Sequence, residues 1–203
     1  MTPIAIATED QLSEAIALRL IADISTPHFV QHKLRRQGNG YLKSKMGSWY
    51  QMAHQQVMLV LTDLDRADCL VEFRDKWLTV EPPDNLLLRI AVREVESWVL
   101  ADHVAMRELI GAKGVLPVAP DELPDPKQAL LRLAKGAPKQ VRNDLLKTIN
   151  GNLSPGLGYN ARLSEWVNSV WNPQRAAARS PSLARTQVRL NEVVGAFVLP
   201  MSD

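Results

Sequence analysis

The chain has one cysteine, Cys69, among 203 residues. A lone cysteine excludes an internal disulfide framework and fits a reducing cytoplasm. No apolar run approaches the roughly 20 residues of a membrane span; the longest, around Val57–Leu61 and Leu86–Ile90, are of strand length. The opening MTPIAIATED has no basic n-region and reaches acidic residues too early for a secretory signal, so a cytoplasmic protein without a membrane partner is expected. There is no Ser–His–Asp pattern, and Gly38–Asn39–Gly40 lacks the spacing of a phosphate-binding loop. His28 and His32 stand four apart, but no further His or Cys pattern completes a zinc site. Internal repeats and low-complexity tracts are absent as well.

What is present is ordinary globular material. Hydrophobic residues make up 46% and charged residues 23%, enough for a real core. The net charge is only +2, yet it is unevenly spread. Residues 1–126 carry 13 basic and 18 acidic side chains, whereas residues 127–203 carry 11 basic and 4 acidic. An acidic front with a basic back is the asymmetry expected when one part holds metal and another meets phosphates. A merely solvated basic helical surface accounts for the same charge count.

Hydrophobic patterning predicts alternating strands and helices. Pro3–Ala7 reads as a strand, and Leu12, Ile16, Leu20 and Ile24 mark an amphipathic helix. A weaker strand is expected near His28–Val30, followed by a polar turn or loop with Lys33, Arg35, Arg36, Lys43 and Lys45 around Gly38–Asn39–Gly40. Val57–Thr62, apolar throughout, reads as a central strand covered on both faces. Arg66–Leu78 then predicts a helix, Leu86–Val92 a buried strand, and residues 94–111 a further helix. This alternation argues for an α/β fold with a mostly parallel sheet flanked by helices. Pro117, Pro120, Pro124 and Pro126 predict a connector at 116–126 between an α/β domain, 1–115, and a basic helical extension, 127–203. In the extension, helices are expected at 128–133, 140–149, 161–170 and 183–194. Asp125 would cap the first of these and Pro126 would open it.

In parallel sheets, chemistry gathers beyond the carboxyl ends of the strands. The first strand runs into Glu9–Asp10, the central one into Asp63–Leu64–Asp65, and the third feeds Glu94–Val95–Glu96. Such carboxylates repel one another unless a divalent cation neutralises them, and oxygen ligands suit Mg²⁺ or Mn²⁺. Helix capping and turn chemistry are the competing explanations for Asp63 and Asp65, and a favourable charge at the start of a first helix capped by Thr8 or Asp10 is that for Glu9. Glu96 sits at the edge of an apolar helical face, where burial would raise its pKa, whereas Glu94, with Trp98 and Asp102, reads as more exposed.

A strand closing on Glu9 and another closing on Asp63–Leu64–Asp65 resemble the Toprim arrangement of topoisomerases, primases and OLD-type nucleases. More narrowly, TEDQLSE (Thr8–Glu14), VLTDLDR (Val60–Arg66), VREVESWVLAD (Val92–Asp102) and SPSL (Ser180–Leu183) look like a Toprim-related family of unknown function, DUF4276. The resemblance implies a Toprim-like fold, Glu9 as general acid/base, and Asp63 and Asp65 as metal ligands. It also implies phosphoryl transfer on nucleic acid, and an ABC-type or AAA-type ATPase partner in phage defence or DNA repair. Glu96, with Asp102, falls in the family's second acidic motif. The glycine that Toprim proteins place after the first glutamate is replaced here by Asp10.

The expectation is a Mg²⁺- or Mn²⁺-dependent nuclease acting on DNA or RNA, with Glu9, Asp63, Asp65 and Glu96 in its site and Glu9, Asp63 and Asp65 toward the metal. Lys43, Lys45 and Arg66 are the expected phosphate contacts. Arg175, Arg179, Arg185 and Arg189 offer a second basic surface, Trp49 beside Tyr50 a stacking platform, and the Trp-bearing C-terminal helices a surface for a homo-oligomer. The alternative is a catalytically silent Toprim-like module that binds an ATPase or another protein.

Overall fold

The computed structural model describes residues 1–35 and 38–197. Arg36, part of the polar stretch, lies outside them. By packing, the chain divides into two units, Met1–Ile90 together with the chain from Arg185 onward, and Ala91–Ala184.

The first unit is built on β1 (Thr2–Thr8), α1 (Gln11–Ala22), β2 (His28–Arg35), α2 (Asn39–Ser44), α3 (Met46–Met52), β3 (Val57–Asp63), α4 (Leu70–Asp75) and β4 (Leu86–Ala91). The four strands form an all-parallel sheet in the order β2-β1-β3-β4, flanked by helices, an arrangement consistent with a Toprim-like fold. The two central strands are the most apolar ones. Thr2–Thr8 is buried at every position, and β3 is buried from Val57 to Thr62. Strands covered on both faces have no solvent side to alternate with, so they read as continuous apolar runs. On one face, Ala5, Ala7, Met58 and Val60 pack with Leu42, Met46, Trp49 and Ala53 from α2 and α3. Alternation puts Ile4, Ile6, Leu59 and Leu61 on the other face, and α1 packs against β1 and β3.

The polar stretch after Val30 differs from its expected form. β2 continues to Arg35 as an edge strand paired with β1, with a register shift between Ile4 and Ala5. Asn39 then opens α2 instead of a loop. A strand gains its hydrogen bonds from its neighbour, so β2 forms in spite of a polar sequence. The expected helix at 66–78 shortens to α4, because Leu64–Ala67 is used for a turn in which the Ala67 N–H donates to Leu64 O (3.1 Å).

The second unit contains α5 (Val95–Ala101), α6 (His103–Ile110), a 3₁₀ turn at Pro120–Glu122, α7 (Pro126–Ala134), α8 (Lys139–Leu145), β5 (Leu146–Ile149), β6 (Asn152–Pro155), α9 (Tyr159–Ser169) and α10 (Pro173–Ala177). α11 (Pro181–Ala196) follows and runs past the boundary between the units. Asp125 caps α7 as expected, Oδ1 accepting from Gln128 N (2.8 Å) with Pro126 in the first position.

Two expectations in this unit are corrected. The helix over 94–111 is broken at Asp102, whose Oδ1 instead caps α6 by accepting from Ala105 N (3.3 Å). The segment 146–155 forms the β5–β6 hairpin and not helix plus loop. Its Asn150–Gly151 turn has positive φ at both residues, 49° and 79°, as a two-residue hairpin turn of the I′ type requires. Gly156 is needed for a different reason: a Cβ there would stand 2.4 Å from the Asp144 carbonyl oxygen.

The SPSL motif is an anchor in the second unit. Ser180 Oγ donates to Asp121 Oδ1 (2.7 Å) and accepts from Leu183 N (3.3 Å). Ser182 accepts from Trp98 Nε1 (2.7 Å). Trp166 and Trp171 are buried, donating to Ala105 O and Trp98 O, so they hold this unit together and present no surface to a second copy.

Candidate functional site

The strand order defines the site. β1 is followed by β2 on one side and, after α2 and α3, by β3 on the other, so the connections leaving β1 and β2 diverge between β1 and β3. This is a topological switch point, where open parallel sheets leave a crevice at the carboxyl ends of the strands. β1 delivers Glu9 to that rim, and β3 delivers Asp63 with Asp65 just beyond.

Glu9 reaches across the switch point. Its Oε1 accepts from Thr62 Oγ1 (2.5 Å) and from the backbone N–H of Asp63 (3.1 Å). Burial pushes the Glu9 pKa above its ordinary value; the Thr62 and Asp63 donors pull it back in part, and the charges of Asp65 and Asp10 add to the rise. Three acidic neighbours thus share one rim electrostatically.

The competing capping explanations separate here. Asp10 caps α1, Oδ1 accepting from Ser13 N (2.8 Å) and Ser13 Oγ (2.9 Å). The carboxylate in the glycine's place therefore has a structural duty, and Glu9 is left to face β3. Asp65 is exposed and sits at φ 52°, a left-handed conformation that Asp adopts more readily than most residues. Its Oδ2 accepts from Asn39 Nδ2 (3.3 Å) at the start of α2. Asp63 is half-buried at the last position of β3. Thr62 and Asn39 were not identified from sequence. Thr62 lay hidden as one more strand residue, and Asn39 carried only a turn signal.

The donors at this rim are all carboxylate oxygens, the type a hard cation takes. Among the described residues no three His, Cys, Asp or Glu side chains are gathered into a ready-made metal cage. Mg²⁺ typically binds through one or two carboxylates, its remaining positions going to water and substrate phosphate. Asp63 and Asp65 fit that two-carboxylate donor set. Lys43 lies on α2, Lys45 directly follows it, and Arg66 follows Asp65; all three are exposed.

Glu96 belongs to the second unit, where it is 2% exposed. Its Oε1 accepts from Tyr159 OH (2.9 Å) and faces Lys127 Nζ (3.4 Å), while Oε2 is buried with no hydrogen-bond partner among the described residues. Burial pushes its pKa up to about 7, with the charge of Glu94 adding to the rise and Lys127 and Tyr159 opposing it. Glu94 is less exposed than its pattern suggests, since the residues sharing its helical face, Trp98 and Asp102, are fully buried. Its Oε2 accepts from Lys127 N (3.0 Å) in the first turn of α7.

Asp102 is also accounted for. It is fully buried and paired with Arg175 through two hydrogen bonds (2.9 and 2.7 Å), and it accepts from Asn172 N (2.8 Å). Burial would raise its pKa, but the Arg175 guanidinium and the Asn172 and Ala105 N–H groups outweigh it, and the net shift is downward.

One expected nucleic-acid feature is corrected. Trp49 is 4% exposed with Nε1 donating to Leu42 O (2.9 Å), so its ring packs the core and is closed to stacking. Of the second basic surface, Arg175 is bound to Asp102 and Arg189 pairs with Glu192 (3.1 Å). Comparison with protein-family models, curated proteins and solved structures returns no match.

Proposed function

We propose that the rim between β1 and β3 is the site of a divalent-metal-dependent phosphodiester hydrolase acting on DNA or RNA. The observation that carries this reading is the link from Glu9 to Thr62 and Asp63, which sets a raised-pKa carboxyl beside the Asp63–Asp65 turn at the switch point. Glu9 Oε1 is fixed by two donors, so Oε2 is the oxygen that gives or takes a proton. A carboxyl with a raised pKa is better suited to that exchange near neutral pH. Asp63 and Asp65 would hold Mg²⁺ or Mn²⁺, which when bound neutralises charge on the phosphoryl oxygens. Lys43, Lys45 and Arg66 would position the flanking phosphates. The ATPase partner is carried into this proposal by the Toprim resemblance alone, and cytoplasmic placement by the single cysteine. Among the described residues no helix is long and apolar enough to cross a membrane.

A second reading, the silent interaction module, is favoured by the same hydrogen bonds, since a carboxylate bonded to Thr62 and Asp63 also serves as a brace between β1 and β3. Titration calorimetry with Mn²⁺ separates the two. The wild type is expected to bind at micromolar to low-millimolar concentration, and Asp63→Asn/Asp65→Asn to lose that binding along with cleavage of plasmid, single-stranded DNA or RNA. Absence of binding even with an oligonucleotide added overturns the hydrolase reading and leaves the module.

A further inference from the structure

We infer that the region formed by α7, α8 and the β5–β6 hairpin is a docking surface for the phosphodiester backbone of duplex DNA. Residues 127–147 contain six basic side chains and one acidic one. The acidic one, Asp144, is taken by Arg162 through bonds of 2.9 and 2.6 Å, and Lys127 is directed at Glu94 and Glu96. Arg132, Lys135, Lys139 and Lys147 are exposed and Arg142 is half-buried, and among the described residues none of the five is in an ion pair. Some surface arginines elsewhere are paired, Arg19 with Asp23, Arg74 with Asp75 and Arg189 with Glu192, while Arg66 and Arg185 are exposed outside any of these pairs.

The elements that carry these charges pack side by side, α7 against α8 and α8 against β5. Lys139 and Arg142 are one helical turn apart and share a face of α8. Lys147 continues the series onto β5, whose tip, 148–152, is fully exposed. A two-stranded ribbon with a tight I′ turn has the dimensions to enter the major groove of B-form DNA but not the deep, narrow one of A-form RNA, and the polar tip residues Thr148, Asn150 and Asn152 supply hydrogen-bonding groups there. Five cations without ion pairs on adjoining elements repel each other, and a polyanion relieves that repulsion while releasing its own counterions. The inference goes beyond the proposed hydrolase, because duplex DNA docks on this region whether or not the rim of the other unit is catalytic.

The test is fluorescence anisotropy with a labelled DNA duplex of roughly two helical turns, and with an RNA duplex of the same sequence. It is run in EDTA, so that neither metal loading nor cleavage contributes. The wild type is expected to bind the DNA duplex with strong salt dependence; binding confined to the RNA duplex overturns the inference. Lys139→Ala/Arg142→Ala/Lys147→Ala should lose about 2.7 from the slope of log affinity against log salt, so its decline from about 50 to 200 mM salt is about 40-fold smaller. Arg132→Ala/Lys135→Ala should lose about 1.8. Arg74→Ala, which removes a charge already paired with Asp75, should leave both slope and affinity unchanged. All of these are surface substitutions whose folding is checked by circular dichroism. Failure of the wild type to bind either duplex, unchanged slopes in both multiple variants, or an equal loss in Arg74→Ala overturns the inference. A failed Mn²⁺ titration at Asp63 and Asp65 leaves it standing.

Discussion

Glu96→Gln offers a perturbation whose size follows from the structure. The carboxyl is 2% exposed, and its pKa is pushed from 4.5 to about 7 by burial and by Glu94, against Lys127 and Tyr159. A folded-state pKa raised above the unfolded one means that the unfolded chain ionises first as pH rises. Stability is then full below 4.5 and is lost as pH rises toward 7. At about 1.36 kcal/mol per pH unit the whole loss is on the order of 3 kcal/mol, most of it between pH 5 and pH 8. Glutamine keeps the shape and an acceptor for Tyr159 but cannot ionise. The attraction to Lys127 acts only on the ionised carboxylate and is already contained in the pKa of about 7. The stability of the variant minus that of the wild type should therefore shift in the variant's favour by roughly 2 to 3 kcal/mol from pH 5 to pH 8. Urea unfolding read by tryptophan fluorescence measures it, since Trp98, Trp166 and Trp171 are buried in the same unit as Glu96. Other titrating groups cancel in the difference. A difference that stays constant within about 0.5 kcal/mol across the range would refute the assignment of Glu96 as a buried, high-pKa acid.

Arg175→Ala should destabilise the second unit by about 3 kcal/mol, because it strands the fully buried Asp102 carboxylate with only backbone donors. The Asp102 pKa is lowered in the fold, so its contribution is present above the unfolded pKa and lost as pH falls. The variant's acid-side loss should accordingly be shallower in urea titrations, and an unchanged acid limb counts against the pair. Thr62→Val removes the 2.5 Å donor to Glu9. With only the Asp63 N–H left to oppose burial, the Glu9 pKa should rise further, and stability near neutral pH should drop by about 1 kcal/mol. Carbon-detected NMR titration of the Glu9 carboxyl reads the first effect, and a pKa that stays or falls contradicts the proposed link.

Local chemistry wrote much of this fold into the sequence. β1, β3 and β4 are legible as apolar runs because strands buried on both faces need nothing else. The start of α7 is legible because Asp125 and Pro126 satisfy the requirements of a helix terminus by themselves. The convergence of Glu9 with Asp63 and Asp65 was also readable, since parallel strands must end on a common rim.

What lay beyond the sequence depends on partners far away along the chain. β2 becomes an eight-residue strand only because β1 supplies its hydrogen bonds. Asp102 breaks a helix-patterned segment because Arg175, 73 residues on, compensates its buried charge. Glu96 was legible as a carboxylate at the edge of an apolar face, but its partners Tyr159 and Lys127 were not. Periodicity fixes which face a side chain occupies on its own element. Only packing decides what that face meets, and thus whether a carboxylate is a cap, a brace, a buried acid or a candidate ligand.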